Sequence, residues 1–467
     1  MRYFLIGLLI SLFISYANPA EAQRTTTNYE SLLQRADSPN AYTSPVVIPK
    51  SNDEILLAVP FRIDYDFLPF TRVRQGMSVP VEDAAFFSRV QLSMDLYKGM
   101  YRESRREGRQ VSGTSMLRNT FIDTVFVRNY EQTLSRTDHL QGVISASVPA
   151  GQYHYELRLT RGETQLELPS RIRVAEAPTY SNLDSAIVVL ASELSTDSDE
   201  ISATLMNFGE FVLYGQDYEI LFVLPDSHKS ENLTLAIHRL QAGSRNTASS
   251  EPSFEKILTA DQFFRGSDLS VKRADNGNVL LNINKTEDQK SLLFTSVQVP
   301  NSGFENARFR VTLKTDDGKE LAQKIIHSRW IDMPVSLLNI DVAIDMLQFI
   351  LSREELDKMK TGSTAEKERK FREFWAERDP TPDTEFNELM TEYYSRIDDA
   401  YQRFTSLQQP GYETDQGRAY ILYGPPDNIE RRLPANRPTQ EIWEYPNRTL
   451  VFEATTGFGD FRLVSER

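Results

Sequence analysis

The 467-residue sequence contains no cysteine. That excludes disulfides, thiol nucleophiles and cysteine-ligated zinc, so the fold must be held by burial. Histidine is nearly as scarce, and all five, His139, His154, His228, His238 and His327, precede residue 334. The last third of the chain therefore hosts neither a Ser-His nor a Cys-His nucleophile, and no His/Cys metal site. Any chemistry there falls to carboxylates. His154 alternates with apolar neighbours and reads as a solvent-face residue, and none of the five is read as a ligand or base. Excess positive charge is missing too: 52 Lys and Arg stand against 66 Asp and Glu, for a net charge of −14. This opposes docking on phosphate backbones or anionic lipid, so nucleic acid is not an expected partner. Arg102, Arg105, Arg106 and Arg109, interleaved with Glu103 and Glu107 around Gly108, read as a solvated hairpin tip.

Long apolar runs are absent after the first residues. The stretch Tyr3 to Tyr16 covers 14 residues, and a bilayer span needs roughly 20. Preceded by Met1 and Arg2 and followed by Ala20-Glu21-Ala22, it has the basic start, apolar centre and small-x-small exit of a secretory signal peptide. The expectation is cleavage after Ala22 and export to the periplasm or the exterior, as a mature chain without a transmembrane span. What remains is long enough for about three domains at roughly 150 residues each. A 40% hydrophobic content supplies real cores.

Residues 23–50 are polar without a sustained period and read as a linker. From residue 51 to 176 the pattern is period two. Phe61, Ile63, Tyr65 and Phe67 alternate with Arg62, Asp64 and Asp66, and Val90, Leu92, Met94 and Leu96 alternate with Arg89, Gln91, Ser93 and Asp95. Half-buried strands follow from that alternation, and about seven short ones suit a β-sandwich. A second strand series over 183–334, broken by loops at 241–252 and 275–278, predicts a second sandwich-like domain. Beyond Pro334 the period lengthens. Ser352 and Glu355 form a capping box before Leu356 and Met359, a second helix carries Phe371, Phe374 and Trp375, and a third runs through Phe386, Leu389, Met390, Tyr393, Ile397, Tyr401 and Phe404. Short strands are expected at 418–423, 441–445, 449–454 and 460–464. The fold class is therefore multi-domain: two all-β sandwich-like domains, then an α+β domain at 340–467 with three helices followed by a small antiparallel sheet.

Within that last domain the segment Gly411, Tyr412, Glu413, Thr414, Asp415, then Gly417 and Arg418, then Tyr420 to Tyr423, Gly424, Pro425, Pro426 and Asp427, resembles the GWxTD domain family of exported bacterial proteins. The upstream run Phe374 to Pro382 and the residues Asn387, Glu388, Tyr393 and Tyr394 resemble it as well. Tyr412 stands where the family name has tryptophan, which keeps an aromatic ring and loses an indole N–H. The resemblance implies an exported bacterial protein with this C-terminal module, and brings no catalytic residues with it.

The carboxylates to weigh are Asp379, Asp415 and Asp427, each beside a proline or glycine turn. Two of them in one cleft would allow acid and base catalysis of glycoside hydrolysis. Alternatively they terminate turns, with Asp415 also pairing with Arg418. The second alternative is favoured. Asp316, Asp317 and Gly318 read as a hairpin turn and not as a calcium loop, and Tyr393 and Tyr394 as packing residues, Tyr394 at the edge of the stripe. No metal and no cofactor is expected. The leading expectation is a non-enzymatic envelope or secreted protein acting on another such protein, and the alternative is a carboxylate-dependent hydrolase of polysaccharide. A third possibility is a chaperone-like factor that holds exported chains by strand addition.

Overall fold

Alternating apolar and polar residues become strands through the first two thirds of the chain. The computed structural model describes residues 28–467 apart from 34–40, 52, 81, 100–114, 136, 164–165, 168–170, 178–182, 242–246, 332, 385, 407–408, 434–437 and 456–460. The expected signal peptide and the arginine-rich hairpin tip lie outside the described residues. The chain divides into two compact units, one of Asp37–Met333 with Trp375–Glu392, the other of Pro334–Phe374 and Tyr393–Arg467 with the residues before Asp37. The only element described among those first residues is the short helix α1 (Tyr29–Leu33).

The larger unit begins with β1 (Ala41–Thr43), β2 (Val46–Pro49), β3 (Glu54–Asp64), β4 (Thr71–Arg72), β5 (Phe86–Lys98), β6 (Ser115–Val127), β7 (His139–Pro149), β8 (Gly151–Arg161), β9 (Leu166–Glu167) and β10 (Arg171–Ala177). Two sheets form. In one, β3 pairs with β1, β2 and β7; in the other, β5 lies between β6 and β8, with β10 beyond β8. Their facing sides supply one core: Ile55, Leu57, Val59, Phe61 and Ile63 of β3 meet Val90, Leu92, Met94 and Leu96 of β5. Each such side chain contributes roughly 1.5–3 kcal/mol by leaving water.

The second strand series comprises β11 (Ile187–Thr196), β12 (Glu200–Leu205), β13 (Phe211–Leu213), β14 (Tyr218–Leu224), β15 (Leu233–Arg239), β16 (Phe254–Leu258), β17 (Phe264–Arg273), β18 (Val279–Lys285), β19 (Leu292–Val299), β20 (Arg308–Thr315) and β21 (Glu320–Arg329). One layer is a five-stranded sheet, β13-β21-β20-β15-β16, and the other closes on itself as a barrel, β11-β12-β18-β17-β19-β14. The sequence of β14, Tyr218-Glu219-Ile220-Leu221-Phe222-Val223-Leu224, shows why no strict alternation marks it. Tyr218, Ile220, Phe222 and Leu224 face the five-stranded sheet, while Leu221 and Val223 join a second cluster lined by all six barrel strands. A strand buried on both faces reads as a continuous apolar run.

Ile48 of β2 and Leu56 of β3 belong to that second cluster too, so the two strand series share a core. The stretch 23–50, read as a polar linker, thus holds a helix and two strands. The same packing corrects two further expectations. Arg62 and Asp64, polar members of an alternating strand, are buried, with Arg62 Nε donating to Asp64 Oδ1 over 2.8 Å. His154, expected on the solvent face, is buried with Nδ1 2.9 Å from the Gly99 carbonyl oxygen and its ring stacked on Tyr97 at 5.1 Å. Period two assigns all three to water, but Phe208 of the second strand series lies 4.6 Å from the Arg62 guanidinium, and Tyr97 on the neighbouring strand β5 covers His154. Asp316, Asp317 and Gly318 do form the β20–β21 turn, with the Gly318 N–H donating to the Thr315 carbonyl over 2.9 Å.

After Pro334 come α2 (Ile340–Met346), α3 (Arg353–Lys360), α4 (Thr364–Ala376), α5 (Glu388–Phe404), α6 (Asp415–Tyr423), β22 (Asn428–Arg432), β23 (Gln440–Tyr445), β24 (Arg448–Ala454) and β25 (Phe461–Glu466). Helices do precede a four-stranded antiparallel sheet, ordered β22-β23-β24-β25. Among the described residues there are five α-helices from Pro334 onward, not three. Residues 418–423, expected as a strand, lie in α6, and the first strand of the sheet is Asn428–Arg432 instead. Four consecutive apolar residues, Tyr420 to Tyr423, fit either period. The clues that decide are Thr414 before Asp415 as an N-cap and Gly424-Pro425 as a stop. No helix among the described residues is long and apolar enough to cross a membrane, which says nothing of strands.

Candidate functional site

The segment Gly411 to Asp415 is a corner between α5 and α6, and each side chain in it has a mechanical task. Gly411 lies against the last turn of α5: a Cβ there would run into the Ala400 carbonyl oxygen and stand 2.7 Å from the Thr405 nitrogen. Thr414 caps α6, its Oγ1 accepting from the Gly417 N–H over 2.9 Å and donating to the Gly411 carbonyl over 2.7 Å. Gly417 is needed because a Cβ would strike the Gly411 carbonyl oxygen. At the far end Gly424 has φ 79°, a conformation that favours glycine, and its carbonyl accepts from Tyr445 Oη over 3.0 Å. Pro425 and Pro426 then prevent the helix from continuing.

Tyr412 is buried, its ring 6.0 Å from that of Tyr401 at 27° and 5.5 Å from that of Tyr29 at 73°. Burial pushes its phenol up to about 12. Tyr29 of α1 completes the cluster, 4.9 Å from Tyr401, and its hydroxyl donates to Asp398 Oδ1 over 2.7 Å. The other oxygen of Asp398 accepts the Val335 N–H over 2.9 Å. Tyr393 and Tyr394 are both core residues: their hydroxyls donate to the carbonyls of Met346 over 2.6 Å and Ala343 over 2.7 Å. Tyr394, expected at the edge of the stripe, is the more deeply buried of the two.

The three candidate carboxylates stand apart. Asp415 Oδ2 accepts the Leu463 N–H of β25 over 2.9 Å, tying the start of α6 to one edge of the sheet. The expected pairing with Arg418 gives way to this bond, and Arg418 is exposed. Asp427 is exposed at the opposite edge, where its N–H donates to the Glu444 carbonyl over 2.9 Å and opens the β22–β23 ladder. Three strand spacings separate those edges, roughly 14 Å at about 4.8 Å each, against the roughly 5–9.5 Å between the two carboxyl groups of a glycosidase. Asp379 belongs to the other compact unit, and its Oδ1 accepts the Thr381 N–H over 2.9 Å in an Asx-type turn. The histidines are scattered: His228 Nδ1 lies 2.8 Å from Glu231 Oε2, and His238 Nδ1 3.1 Å from the Ser249 carbonyl. Sequence reasoning missed Asp398 and Tyr29, because only tertiary packing brings together residues separated by 369 positions.

Replacement of Asp415 by asparagine is expected to lower stability by about 1–2 kcal/mol, since an amide oxygen still accepts from Leu463 while the charge at the helix start is lost. Melting curves beside turnover assays on a polysaccharide panel check this. An equally stable variant that loses a turnover shown by the parent would give Asp415 a catalytic role.

The family model of the GWxTD domain matches residues 313–460. No curated protein matches the chain. Among solved structures it is similar to a type II cohesin dyad from the adaptor ScaA scaffoldin of Acetivibrio cellulolyticus, at 9% identity over 60% of this chain and 94% of that one, with a TM-score of 0.15. It is similar also to the polymeric Ig receptor ectodomain of a teleost fish, at 8% identity over 61% of this chain and 97% of that one, with a TM-score of 0.14. The motif geometry and the family match agree on the last third of the chain, which carries a GWxTD domain.

Proposed function

We propose that the protein is exported by a bacterium and acts in the envelope or outside the cell by binding another protein, without catalysis. The observation that carries this reading is the edge of the C-terminal sheet at β22, which among the described residues pairs with no strand other than β23. All five residues of β22 are exposed, and the strand is paired on one side by β23. Ile429 on it is 53% exposed, and Leu433 just after it 79%. An edge strand with free backbone groups and apolar side chains is suited to strand addition by a partner. Glu430, Arg431 and Arg432 interrupt its apolar character, which discourages unspecific pairing while leaving a charge pattern for a matched partner to meet. Export is supported by the pattern of residues 1–22. The roles found for the motif residues, and the separation of Asp415 from Asp427, weigh against hydrolysis.

A photo-crosslinking residue placed at position 429 in the native host is expected to yield a discrete protein adduct, whereas one at the exposed position 368 on α4 yields none. Absence of an adduct at 429, or release of reducing ends from any envelope polysaccharide by the purified chain, overturns the reading.

A further inference from the structure

We propose that the recess formed by Asp398, Tyr401 and Tyr412 is a recognition site for a short helical segment bearing a tyrosine and, one turn later, a leucine, and that the segment Asn28–Leu33 of this chain is its resident occupant, exchangeable for the same segment supplied in trans. The inference does not depend on the edge-strand reading above.

α1 has five residues, far fewer than the roughly 12–15 at which an isolated helix becomes even marginal in water. Its turn is defined locally by Asn28, whose Oδ1 accepts the Ser31 N–H over 2.9 Å and whose carbonyl accepts from Ser31 Oγ over 2.8 Å. Everything else that holds it comes from what it docks against. Tyr29 and Leu32, three apart and so on one face, are 2% and 6% exposed, while Glu30 between them is exposed. Anchoring through i and i+3 is the helix-in-groove mode of peptide recognition.

The receiving surface is built without α1. Asp398 and Tyr401 sit on α5, a 17-residue helix, and Tyr412 in the motif corner. One oxygen of Asp398 accepts the Val335 N–H and the other accepts the Tyr29 hydroxyl. The two wall rings stack on one another at 6.0 Å. An acceptor fixed in advance beside an aromatic wall selects tyrosine over phenylalanine, because phenylalanine fills the space and deprives a half-buried carboxylate of that donor. Apart from α1, the unit is built from Pro334–Phe374 and Tyr393–Arg467. In that setting α1 stands to the domain as a tethered ligand stands to its receptor. Being on the same chain makes docking intramolecular, so a modest intrinsic affinity keeps the site filled and still permits exchange.

The test uses the full chain carrying Tyr29→Ala or Tyr29→Phe, and a fluorescent peptide of residues 27–34 read by anisotropy. Tyr29→Ala is expected to bind the peptide at least tenfold more tightly than the parent chain, in which the resident segment competes. A peptide with phenylalanine in place of tyrosine is expected to bind at least tenfold more weakly. Tyr29→Phe keeps the ring, so it remains folded even if Tyr29→Ala does not, and it is expected to bind the tyrosine peptide more tightly than the parent does. Equal binding by the parent and by folded Tyr29→Phe, or indifference to the peptide's hydroxyl, overturns the proposal.

Discussion

Gly411→Ala is expected to abolish stable folding of the C-terminal domain. The added methyl would collide with the Ala400 carbonyl oxygen, and would stand 2.7 Å from the Thr405 nitrogen and 2.9 Å from the Ala400 carbonyl carbon. All of these are backbone atoms at the end of α5, so no rotamer change relieves the contact; the helix and the corner must separate. Separation would also break the bond from the Gly411 N–H to Thr405 Oγ1, 2.9 Å long, and displace the Thr414 cap that donates to the Gly411 carbonyl. Overpacking of this kind costs roughly 3 kcal/mol or more at the severe end. Chemical denaturation followed by tryptophan fluorescence should show the loss, since Trp443 lies in this domain against Phe404 at 5.5 Å. Gly303→Ala is the control: nothing lies within 4 Å of a Cβ there, and the change should be neutral within about 0.5 kcal/mol. An unaltered transition in Gly411→Ala would show that the corner does not depend on close backbone approach.

Asp64→Ala should be nearly as damaging in the larger unit. The side chains of Arg62 and Asp64 are 11% and 5% exposed, with Nε and Oδ1 2.8 Å apart. Arg62 also donates to the Thr137 carbonyl over 3.2 Å and lies 4.6 Å from the centre of the Phe208 ring. Burial pushes the Asp64 carboxyl up, and the Arg62 hydrogen bond and charge pull it back. Removing the carboxylate strands a buried guanidinium, which typically costs about 3–5 kcal/mol. Replacing both partners together, Arg62→Met with Asp64→Leu, should be close to neutral, since well-packed apolar residues substitute for buried ion pairs without loss. A double-mutant cycle by denaturant unfolding measures the difference. If the two variants lose equal stability, the damage comes from lost packing and not from the stranded charge.

That pair also marks where sequence reading stops. Alternation locates β3 and β5 because one face of each strand meets the opposite sheet: Phe61 and Ile63, and Val90, Leu92, Met94 and Leu96, do so, while Tyr65 and Phe67 fall in a turn past the end of β3. What covers Arg62 is set by distant chain, Thr137 and Phe208, and what covers His154 by the cross-strand ring of Tyr97, so a rule that assumes one wet side assigns both, and Asp64, to water. β17 is poorly legible for a local reason. Arg265, Ser267 and Asp268 break the apolar rhythm of β17, and its register shifts between Ser267 and Ser270. The long stripe of α5 is legible from Leu389 to Phe404, whereas Phe386, expected on it, precedes the helix; Asn387 Oδ1 caps its start, accepting the Met390 N–H over 2.8 Å. The motif at 411–415 could be recognised as a string, but its meaning as a close-approach corner rests on carbonyl positions that no residue type announces.

The division of the chain into units bears on any attempt to take the protein apart. Following it from one end, the backbone changes unit at Ala36, at Met333, at Phe374 and at Glu392. No single cut can release either unit whole. A fragment beginning at residue 335 carries the strip 375–392 that belongs elsewhere and leaves α1 behind. Proteases and truncation series should therefore fail to find a clean joint near Pro334, however sharply the composition changes there. Ordinary surface loops within one unit are the better places for tags and insertions.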